Sequence, residues 1–460
     1  MDRSEGRRRA ATLTIVSPAA PEPVRAKCRA RIAGLALAAG VALAAFDAGA
    51  AEVALPPFYE GIAGLGATGR LGEVVASEAV ATGIPNARAW RIAYVSSDLL
   101  DRPTIATGLV IAPEGDAPPE GRPIMSWAHG TTGTAQNCGP SQEWDPAQPL
   151  NEYFLIGGTS STDFGVPAAN EFIAAGYVLV ATDYQGLGGG GTHQYAISQT
   201  QARDAIDAVR AVGSMGLSGA GRKAAIYGWS QGGGATLSAA SSPDYIARTG
   251  TAFDGIDLVG FVALAPQDVA AMAPPGPLDD AASAKMLAGL TTAFTDNVFD
   301  FTHFSMNIWA TAATFPGLKL TEMFTADGAS AIDEIFSKKC MHPASDTLNF
   351  NFGSDYKTLL NPAPTNQRAW VEAILKGSVQ PIVPIAPVII YWGTKDTTNP
   401  PVMGEKYREQ MCKMGGNVTR VQLPGEQSHF TTPGASQPLY IPWVADRFAG
   451  KAIPDGCDPT

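Results

Sequence analysis

Five short, almost continuous apolar runs follow Pro123, and each is bounded by Gly, Asp or Asn. Strands that are apolar on both faces belong in a parallel sheet that helices cover on both sides. The runs therefore predict an α/β fold with a central, mostly parallel sheet. The five predicted strands are Ile124 to Ala128, Tyr177 to Thr182, Ala224 to Tyr227, Leu258 to Leu264 and Pro387 to Trp392.

The segments around these runs add further elements. Arg91 to Ser96 and Gly108 to Ala112 are β-like and are separated by a polar turn, so they predict an antiparallel pair. Residues 204 to 215 carry apolar side chains at helical spacing, which indicates a crossover helix. Asn417 to Leu423 is also strand-like.

Strand signals stop between about Gln267 and Gln380, and this stretch is predicted to be mostly helical. The chain then returns to the sheet, so residues 267–380 are expected to form a helical cap inserted between two parts of one core, residues 51–266 and 381–460. The aromatic residues of the insertion either line an acyl-binding surface or form the core of the insertion itself. The second interpretation is favoured. These residues are Phe294, Phe299, Phe301, Phe304, Trp309, Phe315 and Phe324.

The first 50 residues resemble an export signal with an N-terminal extension. A basic segment precedes an apolar run from Ile32 to Phe46, and Ala48 to Ala50 supplies small residues for cleavage. The run is too short for a stable membrane span. The mature chain is expected to begin near Ala51, to be secreted or periplasmic and to lack a transmembrane segment. An uncleaved anchor or a mobile tail is the alternative.

Charge and cysteine content limit the partners. The formal net charge is −11, and no basic face for phosphate appears, so nucleic acid is not an expected partner. Four cysteines remain after the signal: Cys138, Cys340, Cys412 and Cys457. An even number in an exported protein favours two disulfides over metal ligation, and the sequence alone allows three pairings. No cofactor or metal is predicted.

Gly228 to Gly232 reads Gly-Trp-Ser-Gln-Gly and matches the G-x-S-x-G nucleophile elbow. The motif alone is weak, but it follows a predicted strand and precedes Gly233 to Ala240, a small-residue stretch suited to start a helix. A sharp turn from strand to helix brings chain segments close together, which requires small residues at Gly228 and Gly232. Ser230 is therefore predicted to be a nucleophile above the sheet.

A serine nucleophile needs a base and a residue that orients it. Of the five histidines, only His429 follows a late strand, so it is the predicted base. Asp396 lies in the loop after the preceding strand and is the predicted orienting acid. Glu405 lies too far into the next helix, and Glu426 is poorly placed to reach around the ring.

An oxyanion hole needs preorganised N–H donors. The backbone amide of Gln231, directly after the nucleophile, is one predicted donor. The second comes from the loop His129 to Gly133 or from the loop Asp183 to Gly186, and the residues alone leave both open.

Gly186 to Gly191 contains a G-x-G-x-x-G pattern just after a strand. A dinucleotide site would place an acidic residue at the end of the next strand, about 20 residues on. Here that distance falls at Asp204, inside the predicted helix. Nucleotide binding is therefore not expected.

From Arg91 to Cys457 the chain resembles the fungal and bacterial secretory lipase family similar to Candida antarctica lipase A, in the α/β-hydrolase superfamily. Order and spacing make the resemblance specific. Its pieces are Asn137 to Ser141, Gly176 to Gly186, the serine elbow, Cys340, Asp396, Glu409 to Cys412, Ser428 with His429, and Cys457.

The resemblance implies an α/β-hydrolase fold with a helical cap over the site. It implies the triad Ser230, Asp396 and His429, with Asp183 and Gln231 as the oxyanion hole. It also implies disulfides between Cys138 and Cys340 and between Cys412 and Cys457. The chain departs from the fungal pattern in having Gln231 where that type has Gly, and in placing Lys395 beside the acid.

The expected function is that of an exported serine carboxylic ester hydrolase. It would be a lipase that acts on acylglycerols or other fatty acyl esters through an acyl-enzyme, with transient contact to a lipid interface. A serine peptidase or an acyltransferase of the same fold shares the triad and is an alternative. A non-catalytic binding protein is a third.

Overall fold

One mixed sheet of nine strands runs through the part of the chain that the computed structural model describes, residues 54–458 without 275 and 277. The order across the sheet is β1-β2-β3-β5-β4-β6-β7-β8-β9. The strands are β1 (Val74–Val80), β2 (Ala87–Ser97), β3 (Pro103–Pro113), β4 (Arg122–Ala128), β5 (Val178–Gln185), β6 (Ala220–Trp229), β7 (Asp257–Leu264), β8 (Val388–Trp392) and β9 (Val418–Gln422).

The strand directions agree with the sequence prediction. β1, β2 and β3 are antiparallel, and β3 is antiparallel to β5, while β5, β4, β6, β7, β8 and β9 run parallel. Each predicted strand is present. β1 was missed because its sequence, Val-Val-Ala-Ser-Glu-Ala-Val, forms a partly exposed edge with no continuous apolar run. The predicted signal, residues 1–50, lies outside the described residues.

Helices cover both faces of the sheet. The helices are α1 (Pro57–Ala63), α2 (Ala169–Ala174), α3 (Ser198–Ser214), α4 (Gln231–Ala240), α5 (Pro243–Ile246), α6 (Asp280–Ala293), α7 (Val298–Thr314), α8 (Leu320–Met323), α9 (Ala326–Phe336), α10 (Met341–Phe352), α11 (Gln367–Gly377), α12 (Val402–Lys413) and α13 (Thr432–Phe448).

Two apolar layers hold these helices to the sheet. Side chains of α3, α4 and α12 pack on one face, where Ile124 of β4 also points. Side chains of α2 and α13 pack on the other face with the next residue of β4, Met125. Successive residues of a strand point to opposite faces, so a strand that is covered on both sides has no polar alternation. This explains the continuous apolar runs of the sequence.

The chain between β7 and β8 contains α6 to α11, and these helices share an apolar cluster of their own. The described residues nevertheless belong to one compact unit. The helical content predicted for residues 267–380 is therefore present, while the role of this segment as a cap stays a prediction.

Two disulfides tie distant segments together. Cys138 is bonded to Cys340, which directly precedes α10, and Cys412 of α12 is bonded to Cys457. These are the pairs that the family resemblance implies. None of the helices in the described part of the chain has the length and hydropathy that a membrane crossing needs.

Candidate active site

Ser230 lies in the turn between β6 and α4, as the elbow motif predicts. Its backbone has φ 58° and ψ −116°, a conformation that a non-glycine residue adopts only where packing enforces it. A Cβ at Gly232 would lie 1.9 Å from the carbonyl oxygen of Ala128, and one at Gly228 would lie 2.2 Å from that of Gly232. The two glycines therefore permit the tight turn that presents Ser230.

His429 and Asp396 are brought together from separate loops. The imidazole Nδ1 lies 2.8 Å from Oδ2 of Asp396, and both residues are buried. The other carboxylate oxygen accepts hydrogen bonds from the backbone N–H groups of Thr398, at 3.0 Å, and Asn399, at 2.9 Å. The carboxylate is thus held by its own loop with one oxygen facing the imidazole.

Close backbone contacts align these two loops. The N–H of Lys395 donates to the carbonyl of Gln427 at 2.9 Å, and a Cβ at Gly393 would lie 2.2 Å from the same oxygen. Glu426 lies 3.5 Å from the Lys395 ammonium in an exposed ion pair. Its carboxylate is therefore engaged away from the imidazole, so Asp396 remains the candidate for the orienting acid.

Ser230 and His429 line one small pocket. Asn399 adds a contact that the sequence did not suggest, because its Nδ2 lies 3.5 Å from the Ser230 hydroxyl and 3.0 Å from the carbonyl of Ala265. It follows the predicted acid by three residues. The sequence alone does not indicate where the side chain of an Asn in such a loop points.

Asp183 occupies an irregularity of the sheet. In the ladder of β3 with β5, Thr107 pairs with Tyr184 and Gly108 with Thr182, so Asp183 is an extra residue of the kind found in a β-bulge. Its buried carboxylate accepts hydrogen bonds from the N–H of Ser141 at 2.9 Å, from the Ser141 hydroxyl, and from the Thr107 hydroxyl at 2.8 Å. Burial raises the pKa of this carboxyl to about 6.

Gln231 begins α4, where the first N–H groups of a helix have no partner within the helix. Its side chain is buried, and Nε2 lies 3.3 Å from Nε2 of His193. His193 Nδ1 donates to the carbonyl of Gln185 at 2.8 Å, so its Nε2 is the acceptor. Burial lowers the pKa of His193 to about 3, and the neutral ring fixes the Gln231 side chain.

The competing loop, His129 to Gly133, also borders the pocket. Thr131 lines it, and the Thr131 hydroxyl lies 2.9 Å from the hydroxyl of Tyr195. The loop His129 to Gly133 follows β4, which is next to the elbow strand β6, whereas Asp183 lies near the end of β5, one strand further away. The position of the second oxyanion donor stays a prediction.

Ser230 also lines a second, larger cavity, and an apolar groove shares lining residues with that cavity. Leu290 and Phe294 line both of these spaces. Phe304 also lines the cavity, and Phe299 lines the His429 pocket. The other four aromatic residues of the insertion are buried in apolar clusters. Some of the seven residues therefore line a ligand-sized space, and others form the core of the insertion. The four buried residues are Phe301, Trp309, Phe315 and Phe324.

Two histidines of the insertion also line the His429 pocket, His303 and His342. Burial lowers the pKa of each to about 4, so both are neutral near pH 7. Asp163 lines the same pocket. Sequence reasoning missed these three because no motif connects them with Ser230.

Comparisons with known proteins agree on a family. A family model described as secretory lipase matches residues 158–456. The chain is similar to Lipase 9 of Candida albicans, at 22% identity over 80% of this chain and 75% of that protein. It is also similar to Lipase 5 of Candida albicans, at 23% identity over 80% of this chain and 73% of that protein.

Solved structures agree on the fold. Candida antarctica lipase A is similar at 18% identity and a TM-score of 0.65, with 87% of both chains covered. The rice cell wall degrading esterase LipA from Xanthomonas oryzae is similar at 17% identity and a TM-score of 0.62, with 84% of this chain and 100% of that chain covered. The predicted α/β-hydrolase fold is confirmed.

Proposed function

This chain belongs to the secretory lipase family, and from that premise we propose that it hydrolyses carboxylic esters with Ser230 as nucleophile, His429 as base and Asp396 as orienting acid. The observation that carries the proposal is the 2.8 Å contact of His429 Nδ1 with Asp396, next to a serine held in a strained turn. A carboxylate that accepts from Nδ1–H leaves Nε2 unprotonated. His429 Nε2 is then free to take the serine proton.

The proposed reaction has two halves. Ser230 Oγ attacks the ester carbonyl carbon while His429 takes its proton, and the tetrahedral intermediate collapses when His429 returns this proton to the leaving alcohol. An acyl-enzyme remains. Water then attacks it with His429 as base, and the acid and the free serine are released. Asp396 stabilises the imidazolium in both halves.

The oxyanion of each intermediate is proposed to accept from the backbone N–H groups of Gln231 and Asp183. The start of α4 supports the first choice, since its N–H groups point away from the helix. The bulge at Asp183 supports the second, because a bulged residue leaves its backbone outside the ladder. Hydrogen bonds that the Asp183 carboxylate accepts from the Ser141 N–H and the Thr107 hydroxyl hold this conformation.

The acyl group is proposed to lie in the larger cavity, which Ser230 lines and His429 does not, and to extend into the adjoining groove. Leu290 and Phe294 connect the two spaces, and the groove is otherwise lined mainly by apolar side chains such as Met286 and Met403. Fatty acyl esters fit this surface, since each buried methylene contributes about 0.8 kcal/mol. A preference for fatty acyl esters, acylglycerols among them, is therefore part of the proposal.

Export and transient contact with a lipid interface are also part of the proposal. Two disulfides and the family's description as secretory support an extracellular or periplasmic protein. The exposed side chains of Leu155 and Ile156 follow Phe154, which lines the His429 pocket. An apolar loop beside the site is suited to contact an aggregated lipid.

Two measurements test this function. A fluorophosphonate should label Ser230, and the purified protein should hydrolyse p-nitrophenyl butyrate and octanoate, while Ser230→Ala should abolish both. Turnover of aminoacyl amides at a higher kcat/KM than esters would instead identify a peptidase. An unlabelled Ser230 in folded protein would contradict the catalytic assignment.

A further inference from the structure

Asp163 is a carboxylate in the His429 pocket that the proposed mechanism does not use. It is 7% exposed and lines the pocket together with Ser230 and His429. Its Oδ1 accepts a hydrogen bond from the backbone N–H of Tyr153 at 2.7 Å. Within the described part of the chain, Oδ2 has no hydrogen-bond donor. This oxygen is not among the buried polar atoms that lack a partner, so it is open to the pocket and to a ligand that supplies a donor.

His429 decides which half of the ester enters this pocket. The imidazole must return its proton to the leaving oxygen, so the alcohol has to lie beside His429. His429 lines the small pocket, whereas the larger cavity is lined by Ser230 without His429. The alcohol therefore shares its pocket with Asp163.

His303 offers a second acceptor at the border of this pocket and the larger cavity, since it lines both. Its Nδ1 donates to the carbonyl of Phe299 at 2.9 Å. Burial lowers the pKa of His303 to about 4, so the ring is neutral at pH 7 and Nε2 keeps its lone pair. Two acceptors without a protein donor favour a ligand that brings hydroxyl or ammonium groups.

Aromatic rings also line the pocket. The ring centre of Phe154 lies 4.5 Å from that of Phe430 and 5.4 Å from that of Phe299. All three residues line the pocket. The ring centre of Phe299 also lies 4.6 Å from that of His303, so aromatic surface and hydrogen-bond acceptors are neighbours in this pocket. Such a lining suits a small ligand with both C–H and O–H groups.

We infer that this pocket is a subsite for a leaving alcohol with free hydroxyl groups, such as the glycerol of a partial glyceride, and that Oδ2 of Asp163 accepts a hydrogen bond from one of them. The inference rests on the proposed function and makes it more specific. A simple alkanol has no second hydroxyl to donate. A choline-type alcohol would also fit a carboxylate beside aromatic rings, but it would leave Nε2 of His303 without a donor.

The loop that carries Asp163 is tied down, which makes a clean substitution feasible. The N–H of Asn151 donates to the carbonyl of Phe164 at 2.8 Å, and Tyr153 N–H binds Oδ1 of Asp163. In an Asp163→Asn variant, the amide oxygen keeps the bond to Tyr153, and Nδ2 takes the place of Oδ2. The acceptor is then replaced by a donor of the same shape.

The test compares esters of one acid at pH 8, where Asp163 is ionised because its pKa is about 6. kcat/KM is measured for glycerol monobutyrate, propyl butyrate and butyrylcholine with the wild type and with Asp163→Asn. We expect the substitution to lower kcat/KM for the glycerol ester by about 10-fold or more, as for a lost hydrogen bond to a charged group, and to leave propyl butyrate within about 2-fold.

Glu152→Gln is the matched control. Glu152 is a buried acid close to Asp163 in sequence, but it does not line the pocket. The Glu152→Gln variant should leave the ratio of kcat/KM for the glycerol ester to kcat/KM for the propyl ester unchanged. Because burial raises the pKa of Glu152 to about 9, this side chain is mostly uncharged at pH 8, and the control alters the loop with little change in its charge. A ratio that changes equally in both variants would mean that the packing of the loop, and not the hydrogen bond of Asp163, is responsible, and would overturn the inference.

The other outcomes separate the two proposals. An equal loss for all three esters would show that Asp163 acts through His429 or the fold, and a loss confined to butyrylcholine would assign the pocket to an ammonium group. Either result overturns the polyol subsite but leaves ester hydrolysis intact. If the wild type hydrolyses none of the esters and Ser230 resists a fluorophosphonate, both proposals fail together.

Discussion

The indole Nε1 of Trp229 donates a hydrogen bond to the backbone carbonyl of His429 at 3.1 Å. Trp229 precedes the predicted nucleophile in the elbow, and the two ring centres are 5.2 Å apart. A residue of the elbow therefore holds the loop of the predicted base directly. The spacing of serine and imidazole depends on this contact as well as on Asp396.

Trp229→Phe should lower kcat by about 10-fold with little change in KM. The substitution keeps an aromatic ring but removes the N–H, and a small displacement of a catalytic group is costly because reaction requires aligned atoms. Steady-state kinetics on p-nitrophenyl butyrate measure this. Trp443→Phe, on α13 beside Gly260, is the control and should retain kcat. Equal kcat in both variants would remove the proposed role of the indole.

Asp183→Ala should lower kcat by roughly 10²- to 10³-fold and leave KM nearly unchanged. The carboxylate holds Ser141 and Thr107, so its loss displaces an N–H that acts on the developing oxyanion. Thr131→Ala should remain within a few-fold of wild-type kcat. Both variants are checked for folding by circular dichroism. A crippled Thr131→Ala beside a normal Asp183→Ala would move the oxyanion hole to the loop after β4.

Gly289→Phe should shorten the acyl chain that the enzyme accepts. Gly289 lines the apolar groove, and a Cβ there would meet nothing within 4 Å, so a larger side chain enters the groove without disturbing the fold. kcat/KM for long acyl esters should fall several-fold, whereas butyrate should be unaffected. Gly289→Ala is the control. An unchanged chain-length profile for Gly289→Phe would place the acyl chain elsewhere.

Glu152→Gln should be more stable than the wild type above about pH 5. Burial, and secondarily the charge of Asp163, raises the pKa of Glu152 to about 9 in the folded state, against 4.5 in the reference state. Between these values the folded state binds the proton more strongly, so the wild type loses stability as pH rises, by up to about 1.4 kcal/mol per pH unit. The variant lacks this loss.

Melting temperatures at pH 5, 6.5 and 8 test this prediction. The melting temperature of Glu152→Gln should exceed that of the wild type by an amount that grows with pH and vanishes near pH 4.5. Glu120→Gln, at an exposed position, should give a difference that does not depend on pH. A constant difference for Glu152→Gln would mean that its carboxyl is not perturbed.

The two disulfides should differ in their effect on catalysis. Replacing either pair by serine should lower the melting temperature, since a bond of this kind contributes about 2–4 kcal/mol. Only the bond of Cys138 with Cys340 adjoins the site, because Met341 and His342 follow Cys340 and line the His429 pocket. kcat/KM at 25 °C should fall for that pair and remain unchanged for Cys412 with Cys457. Equal activities would show that α10 keeps its place without the bond.

The sequence alone predicted the architecture and the candidate triad. Buried strands appear as continuous apolar runs, and the tight turn of the elbow requires small residues at Gly228 and Gly232. Both patterns are local, so they can be recognised in the sequence without the fold. Elimination among five histidines then led to His429, which the structure places beside Asp396. The edge strand β1 has no such pattern and was missed.

Only the tertiary structure decided which side chains line the two spaces that border Ser230. Asp163, His303 and Asn399 come from three distant segments, and their directions depend on how loops and helices pack together. The same packing sends Phe294 into a cavity and Phe301 into the core, although both lie in one Phe-rich stretch. Periodicity predicts that an apolar side chain is buried, whereas the neighbouring helices determine whether it meets protein or an open pocket.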